Sequence, residues 1–195
     1  MADMRVVTFD IETANWFGDG ETNDPADLKI AIVCIHDSET DSFDSFLVPD
    51  LPRLWPILER TDVLIGWNSD HFDIPLLNRY YPGDLTSVKS LDLMVEIQKV
   101  ANRRLKLDAV AEGTLSDKKL DGKGGQSVIW WKAGEVDKVR EYCIHDVRLT
   151  RKIFDYALEK GHIKYKELGK THEIKLDTKE WMAPKSSPMT FSLGF

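Results

Sequence analysis

The segment Asp62 to Trp67 (DVLIGW) is apolar on both sides of any strand it could form, and this restricts the fold more than any other stretch. A strand buried on both faces needs cover above and below, which in a water-soluble chain means helices on both sides of a sheet. Met4 to Ile11 (MRVVTFDI) and Lys29 to His36 (KIAIVCIH) are further β-branched apolar runs. Ser42 to Val48 (SFDSFLV) alternates like a strand with one wet face, and Val88 to Leu93 supplies one more short strand. The first three strands read as antiparallel and Asp62 to Trp67 as parallel. The expected fold is α/β: one mixed five-stranded sheet with helices on both faces.

Helices fill the intervals. Leu51 to Arg60 reads as a short helix interrupted by Pro52 and Pro56, and His71 to Tyr81 as a helix with Pro75 in its first turn. Another follows Leu93 and runs through Ala101. Residues 102–135 are less regular, with a turn at Gly122, Gly124 and Gly125, and the loop after the first strand turns at Gly18, Gly20, Asn23 and Pro25. Glu135 to Lys160 carries the clearest helical period, with Val136, Val139, Cys143, Val147, Thr150, Phe154 and Ala157 on one stripe and Gly161 as the stop. Ile163 to Leu176 reads as a β-hairpin around Gly169-Lys170. The expected division is a domain over residues 1–161, a C-terminal hairpin appendage over 162–183 and a fraying tail over 184–195.

A net charge of −7 argues against coating nucleic acid by bulk electrostatics, but leaves room for an acidic metal site beside a local basic groove. Cys34 and Cys143 are too few for a disulfide scaffold and read as free buried thiols in a reducing compartment. With no leader pattern before Met4 and no apolar run able to span a bilayer, a cytoplasmic protein without membrane association is expected.

Asp10 and Glu12 close the first strand in FDIET. Two residues apart, they point to the same side of the sheet. Paired acids at the end of an apolar strand repel one another; a hard divalent cation would compensate them, or the strand simply meets solvent there. In GWNSDHFDIPLL, Asp73 lies between Phe72 and Ile74 in an apolar helical stretch, Asp70 reads as its N-cap, and Asn68 as a turn residue or a functional one. In REYCIHDVRLT, Tyr142 and Asp146 stand four apart and share one helix face.

FDIET, then G-W-N with F-D downstream, then Y-C-x-x-D-V-x-L-T on a long helix, resemble the three exonuclease motifs of the DEDD superfamily. The tyrosine form of the third motif is most similar to the 3′–5′ exonuclease domain of family B DNA polymerases. The resemblance spans residues 9–150 and implies a ribonuclease H-like fold. It also implies that Asp10, Glu12, Asp73 and Asp146 hold two divalent cations, Mg²⁺ or Mn²⁺. By the same resemblance Asp10 bridges both, Glu12 and Asp146 hold the cation that activates water, Asp73 serves the other, and Tyr142 orients the water. Two cations roughly 4 Å apart can lower the pKa of a water and stabilise a leaving 3′ oxygen. The histidine form of the motif would need a histidine at position 141, which is Glu141, and His145 points about 100° away from Asp146 on the helix.

The expected activity is a metal-dependent 3′–5′ exonuclease acting on single-stranded nucleic acid, DNA favoured, and releasing nucleoside 5′-monophosphates. Its alternatives are an endonuclease of the same fold and a catalytically silent nucleic-acid-binding module. It is expected to act as a monomer on 3′ ends, with any polymerase or repair protein as a separate partner. Thr13, Trp16, Asn68, Trp130 and Trp131 are candidate substrate contacts. From Lys99 to Lys132 the chain carries eight basic side chains against four acidic ones, either a phosphate-tracking groove or a solvated face with tryptophan in the core.

Overall fold

Strand β1 (Val6–Thr13) takes the centre of the sheet because both of its faces are apolar for most of its length: Val6, Val7, Phe9 and Ile11 are all nearly sealed from solvent. The computed structural model describes residues 4–19, 24–117 and 125–184; Gly20, Asn23, Gly122, Gly124 and residues 185–195 of the expected tail lie outside the described residues. On one side β1 pairs antiparallel with β2 (Ile30–Asp37), which pairs antiparallel with β3 (Ser42–Phe46). On the other it pairs parallel with β4 (Val63–Gly66), and β4 parallel with β5 (Ser90–Asp92). The order is therefore β3-β2-β1-β4-β5, the mixed five-stranded sheet expected from the sequence.

Alternation along β1 sorts the two layers. Val7, Phe9 and Ile11 face a core shared with Leu51, Leu54, Leu58, Ile74 and Leu77. That side is covered by a short 3-10 stretch (Val48–Arg53), a single helical turn α1 (Trp55–Leu58) and α2 (Asp73–Asn78). The short helix expected over 51–60 is thus divided in two at its prolines. Pro52 and Pro56 lack the N–H donors an unbroken helix needs, and each begins or tightens a turn instead. The opposite side is covered by α3 (Leu93–Ala101), α4 (Leu107–Leu115), α5 (Gln126–Lys132) and the 25-residue α6 (Val136–Lys160). The stripe read from the sequence is buried from Val139 to Ala157, and Gly161 ends α6 at φ +68°.

Two helices, α4 and α5, occupy the region expected to be irregular. In α4 the buried residues are Leu107, Val110 and Ala111, an i, i+3, i+4 set over too few turns to stand out beside charged neighbours. After α6, β6 (His162–Glu167) and β7 (Lys170–Lys175) form the antiparallel hairpin. Its turn is Leu168-Gly169, one residue earlier than expected. Both residues have positive φ, +48° and +76°, the twist that a two-residue turn between right-twisted strands requires. The hairpin lies against α4 so closely that a Cβ on Gly113 would meet the backbone of Tyr165 at 2.5 Å.

Arg5 ties the sheet together at the start of β1. Its guanidinium donates to both carboxylate oxygens of buried Asp37 at 3.0 and 2.5 Å and pairs with Glu39 at 2.7 Å, while its backbone N–H donates to Asp62. Among the described residues no helix is long and apolar enough to cross a membrane.

Candidate active site

Asp10 and Glu12 occupy the same parity on β1, on the face that α6 covers. Asp10 is opposite Cys34 on β2, and the Cys143 thiol of α6 donates to the Asp10 carbonyl at 3.4 Å. Burial, then the neighbouring Cys34 thiol, pushes the Cys143 thiol well up, so it remains a neutral donor and both cysteines are free. That contact seats α6 on the strand. Asp146, 3% exposed, and Tyr142, 6% exposed, lie a turn apart on the buried side of the helix.

The result is a three-carboxylate cluster. Asp10, Glu12 and Asp146 can each place an oxygen within 4.8 Å of the other two. They line an open cavity of about 730 Å³ together with Asp73, Tyr142 and Asn68. An all-oxygen, all-anionic donor set of this spacing fits a hard divalent cation. Asp73 stands at the head of α2 and reaches the cluster from the other layer: its carboxylate accepts the backbone N–H of Ile11 at 3.1 Å. Burial first, then the charges of Asp10 and Glu12, pushes the Asp73 carboxyl well above the ordinary range, against the N–H of Ile11. Asp10 and Glu12 thus crowd Asp73 with like charge, which a bound cation would relieve.

The remaining sequence-derived candidates divide. Asn68 lines the main cavity from a left-handed turn, φ +63°. Thr13 and Trp16 line an adjoining cavity of about 250 Å³ that shares Ile11, Glu12 and Phe72 with the first. Thr13 donates its hydroxyl to the Asn15 carbonyl at 3.0 Å. Trp16 is 40% exposed yet held: the Lys132 ammonium sits 4.2 Å from its ring, and Gly125 (φ +82°) has no Cβ to collide with the indole nitrogen. Trp130 and Trp131 line neither cavity. They pack against the core formed by Ile32, Cys34 and Val147, with the Trp130 ring edge-on to Tyr142 at 5.8 Å. His145 lines neither cavity. Asp70 does not cap α2, whose N-cap is Phe72; its carboxylate instead accepts the Ser90 hydroxyl at 2.5 Å.

One organising residue escaped the sequence reading. Asp92, 2% exposed, accepts the backbone N–H groups of Asn68 and Asp70 on one side and of Met94 and Val95 on the other. It thereby caps α3 and fixes the left-handed turn that carries Asn68. Burial raises its carboxyl despite those donors. An Asp immediately before the apolar helical run LMVEI is the cap signature that could have exposed it. Phe17 and Phe72, edge to face at 6.0 Å, were also unanticipated and extend the aromatic wall of the smaller cavity.

Residues 7–158 match the model of the RNase H superfamily. No curated protein matches the chain. Among solved structures, the family B DNA polymerase from the hyperthermophilic archaeon Pyrobaculum calidifontis is similar, with a TM-score of 0.60 and 20% identity over 80% of this chain. The match spans 25% of that polymerase, so the chain corresponds to about a quarter of it, and at this identity the likeness is one of fold.

Proposed function

The chain belongs to the RNase H superfamily, and from that premise we propose that it is a metal-dependent 3′–5′ exonuclease. It hydrolyses single-stranded nucleic acid, DNA by preference, and releases nucleoside 5′-monophosphates. The observation that carries the reading is the meeting of Asp10 and Glu12 from β1 with Asp146 from α6, with Tyr142 one turn away in the same cavity. Asp10, Glu12 and Asp146 would hold one divalent cation, and Asp73 together with Asp10 a second, Mg²⁺ or Mn²⁺. When bound, such cations make water a stronger nucleophile and offset charge on the leaving 3′ oxygen.

The protein's own groups do the positioning. The Tyr142 phenol, its ring braced edge-on by Trp130, orients the attacking water. Trp16 gives the terminal base a face to stack on, and its clamp by Lys132 means little ordering is left to be done on binding. Thr13 and the Asn68 turn, held by Asp92, border the terminal sugar. The protein acts on 3′ ends as a monomer.

The test is a product ladder. A 5′-labelled single-stranded DNA or RNA incubated with Mg²⁺ or Mn²⁺ should shorten stepwise from its 3′ end. Internal cuts would instead indicate an endonuclease, and intact substrate a binding module.

A further inference from the structure

We propose that Arg104 and Lys106 form a phosphate-binding wall for the strand upstream of the scissile bond, so that the site is built for an oligonucleotide and not for an isolated phosphodiester. The proposal rests on the nuclease reading above and specifies how that site grips its substrate. Between α3 and α4 the chain alternates: Leu105 and Leu107, 7% and 8% exposed, anchor in the core, while Arg104 and Lys106 stay exposed and line the main cavity. The alternation fixes two cations on the rim of the cavity that the carboxylate cluster also lines.

Among the described residues, the other cations of the same basic stretch are engaged. Lys99 pairs with Glu96, Arg103 binds Glu167 twice at 3.0 and 2.8 Å, and Lys132 pairs with Asp19 at 3.1 Å over Trp16. The side chains of Arg104 and Lys106 make no hydrogen bond or ion pair with any described residue. Unpartnered cations beside a carboxylate cluster are suited to an anion that the cluster cannot itself hold, and the repeating anion of a nucleic acid strand is the phosphodiester.

Position gives the direction. Trp16 and Thr13 line only the smaller cavity, Arg104 and Lys106 only the larger, and Glu12 lines both. A terminal base on Trp16 puts the next phosphate at the carboxylates and the preceding phosphates at the cationic wall. A substrate without those phosphates never reaches Arg104 or Lys106.

The test compares two substrates: an oligothymidylate of about ten nucleotides and the p-nitrophenyl ester of thymidine 5′-monophosphate, which has one phosphodiester and nothing upstream. In the double variant Arg104→Gln, Lys106→Gln, KM for the oligonucleotide should rise roughly tenfold with kcat kept, and ester hydrolysis should be unchanged. The slope of log affinity against log salt should flatten by about 1.4, two single-strand contacts at roughly 0.7 each. Arg53→Gln, at a residue 79% exposed on the far layer, is the control. Unchanged oligonucleotide KM and salt slope, or equal damage to both substrates, would overturn the proposal. Should the wild type cleave neither substrate, the nuclease reading fails, and anisotropy of the labelled oligonucleotide with Ca²⁺ decides this one separately. Binding that needs Arg104 and Lys106 supports the wall; absent or insensitive binding overturns it.

Discussion

The carboxylate of Asp73 accepts the backbone N–H of Ile11 at 3.1 Å, so α2 is fastened to β1 at the peptide between the two strand acids. A residue that reads from sequence as one more acid of the site is thus also a structural acceptor. Asp73→Ala should leave a buried N–H without its acceptor and cost about 1–3 kcal/mol of stability. Asp73→Asn keeps an acceptor oxygen and removes a crowded charge, so it should fold as stably as the wild type while losing roughly 10–100-fold in activity. Urea denaturation beside nuclease rates separates the two effects.

Cation binding should stabilise the folded chain, because Asp10, Glu12 and Asp146 converge only there. At a cation concentration about 100 times Kd the gain is about 2.7 kcal/mol, read as a rise in Tm. Asp146→Ala should abolish both that rise and the activity, and chelation by EDTA should silence the wild type. A full Tm response in Asp146→Ala would remove this residue from the ligand set.

Tyr142→Phe preserves the ring that meets Trp130 edge-on and deletes only the hydroxyl. Stability should change by less than about 1 kcal/mol and the cation-induced Tm shift should persist. Hydrolysis should slow by roughly a hundredfold, in the range of a lost water-positioning group. An unaltered rate would show that the phenol takes no part.

Away from the site, acid sensitivity should trace to Asp37. Burial alone would raise its carboxyl, but the Arg5 guanidinium and the Glu39 N–H hold it below the ordinary value. A carboxylate lowered in the folded state stabilises above its unfolded pKa, about 3.9, and that contribution is lost as pH falls through the lower native value. Asp37→Asn should cost about 3 kcal/mol at neutral pH by leaving Arg5 under-compensated. Its stability should also fall less steeply on acidification below about pH 4. Denaturant titrations across that range check both points.

Gly113→Ala adds a good helix former to α4, worth up to about 1 kcal/mol in isolation. The new Cβ would lie 2.5 Å from the Tyr165 backbone, and backbone cannot swing aside. The substitution should therefore destabilise by about 1–3 kcal/mol, with faster amide exchange in β6 and β7 than elsewhere.

The parts of this structure legible in sequence share one property: their signal is local and repeated. The β-branched runs of β1, β2 and β4 and the long stripe of α6 announce themselves because burial on both faces or along one face repeats a residue class at a fixed period. α4 and α5 were missed because 9 and 7 residues give too few repeats. The acids were legible as motifs, but their convergence depends on the pairing of β1 with β2 and the seating of α6, which no local pattern encodes. The cap that Asp92 makes on α3 is legible in residue type, but its bonds to Asn68 and Asp70 are hidden, because they run to backbone donors far away in sequence. Whether Trp130 and Trp131 met substrate or core was likewise open, since helix spacing alone does not say which neighbour a ring will find.

Asp146 arrives on α6, well over a hundred residues after Asp10 and Glu12, so all five strands of the sheet precede in sequence the third carboxylate of the cluster. A chain that stopped before residue 136 would lack Asp146 and could not assemble the three-carboxylate cluster. The order in which the polypeptide emerges thus withholds the complete carboxylate cluster until α6 has been made.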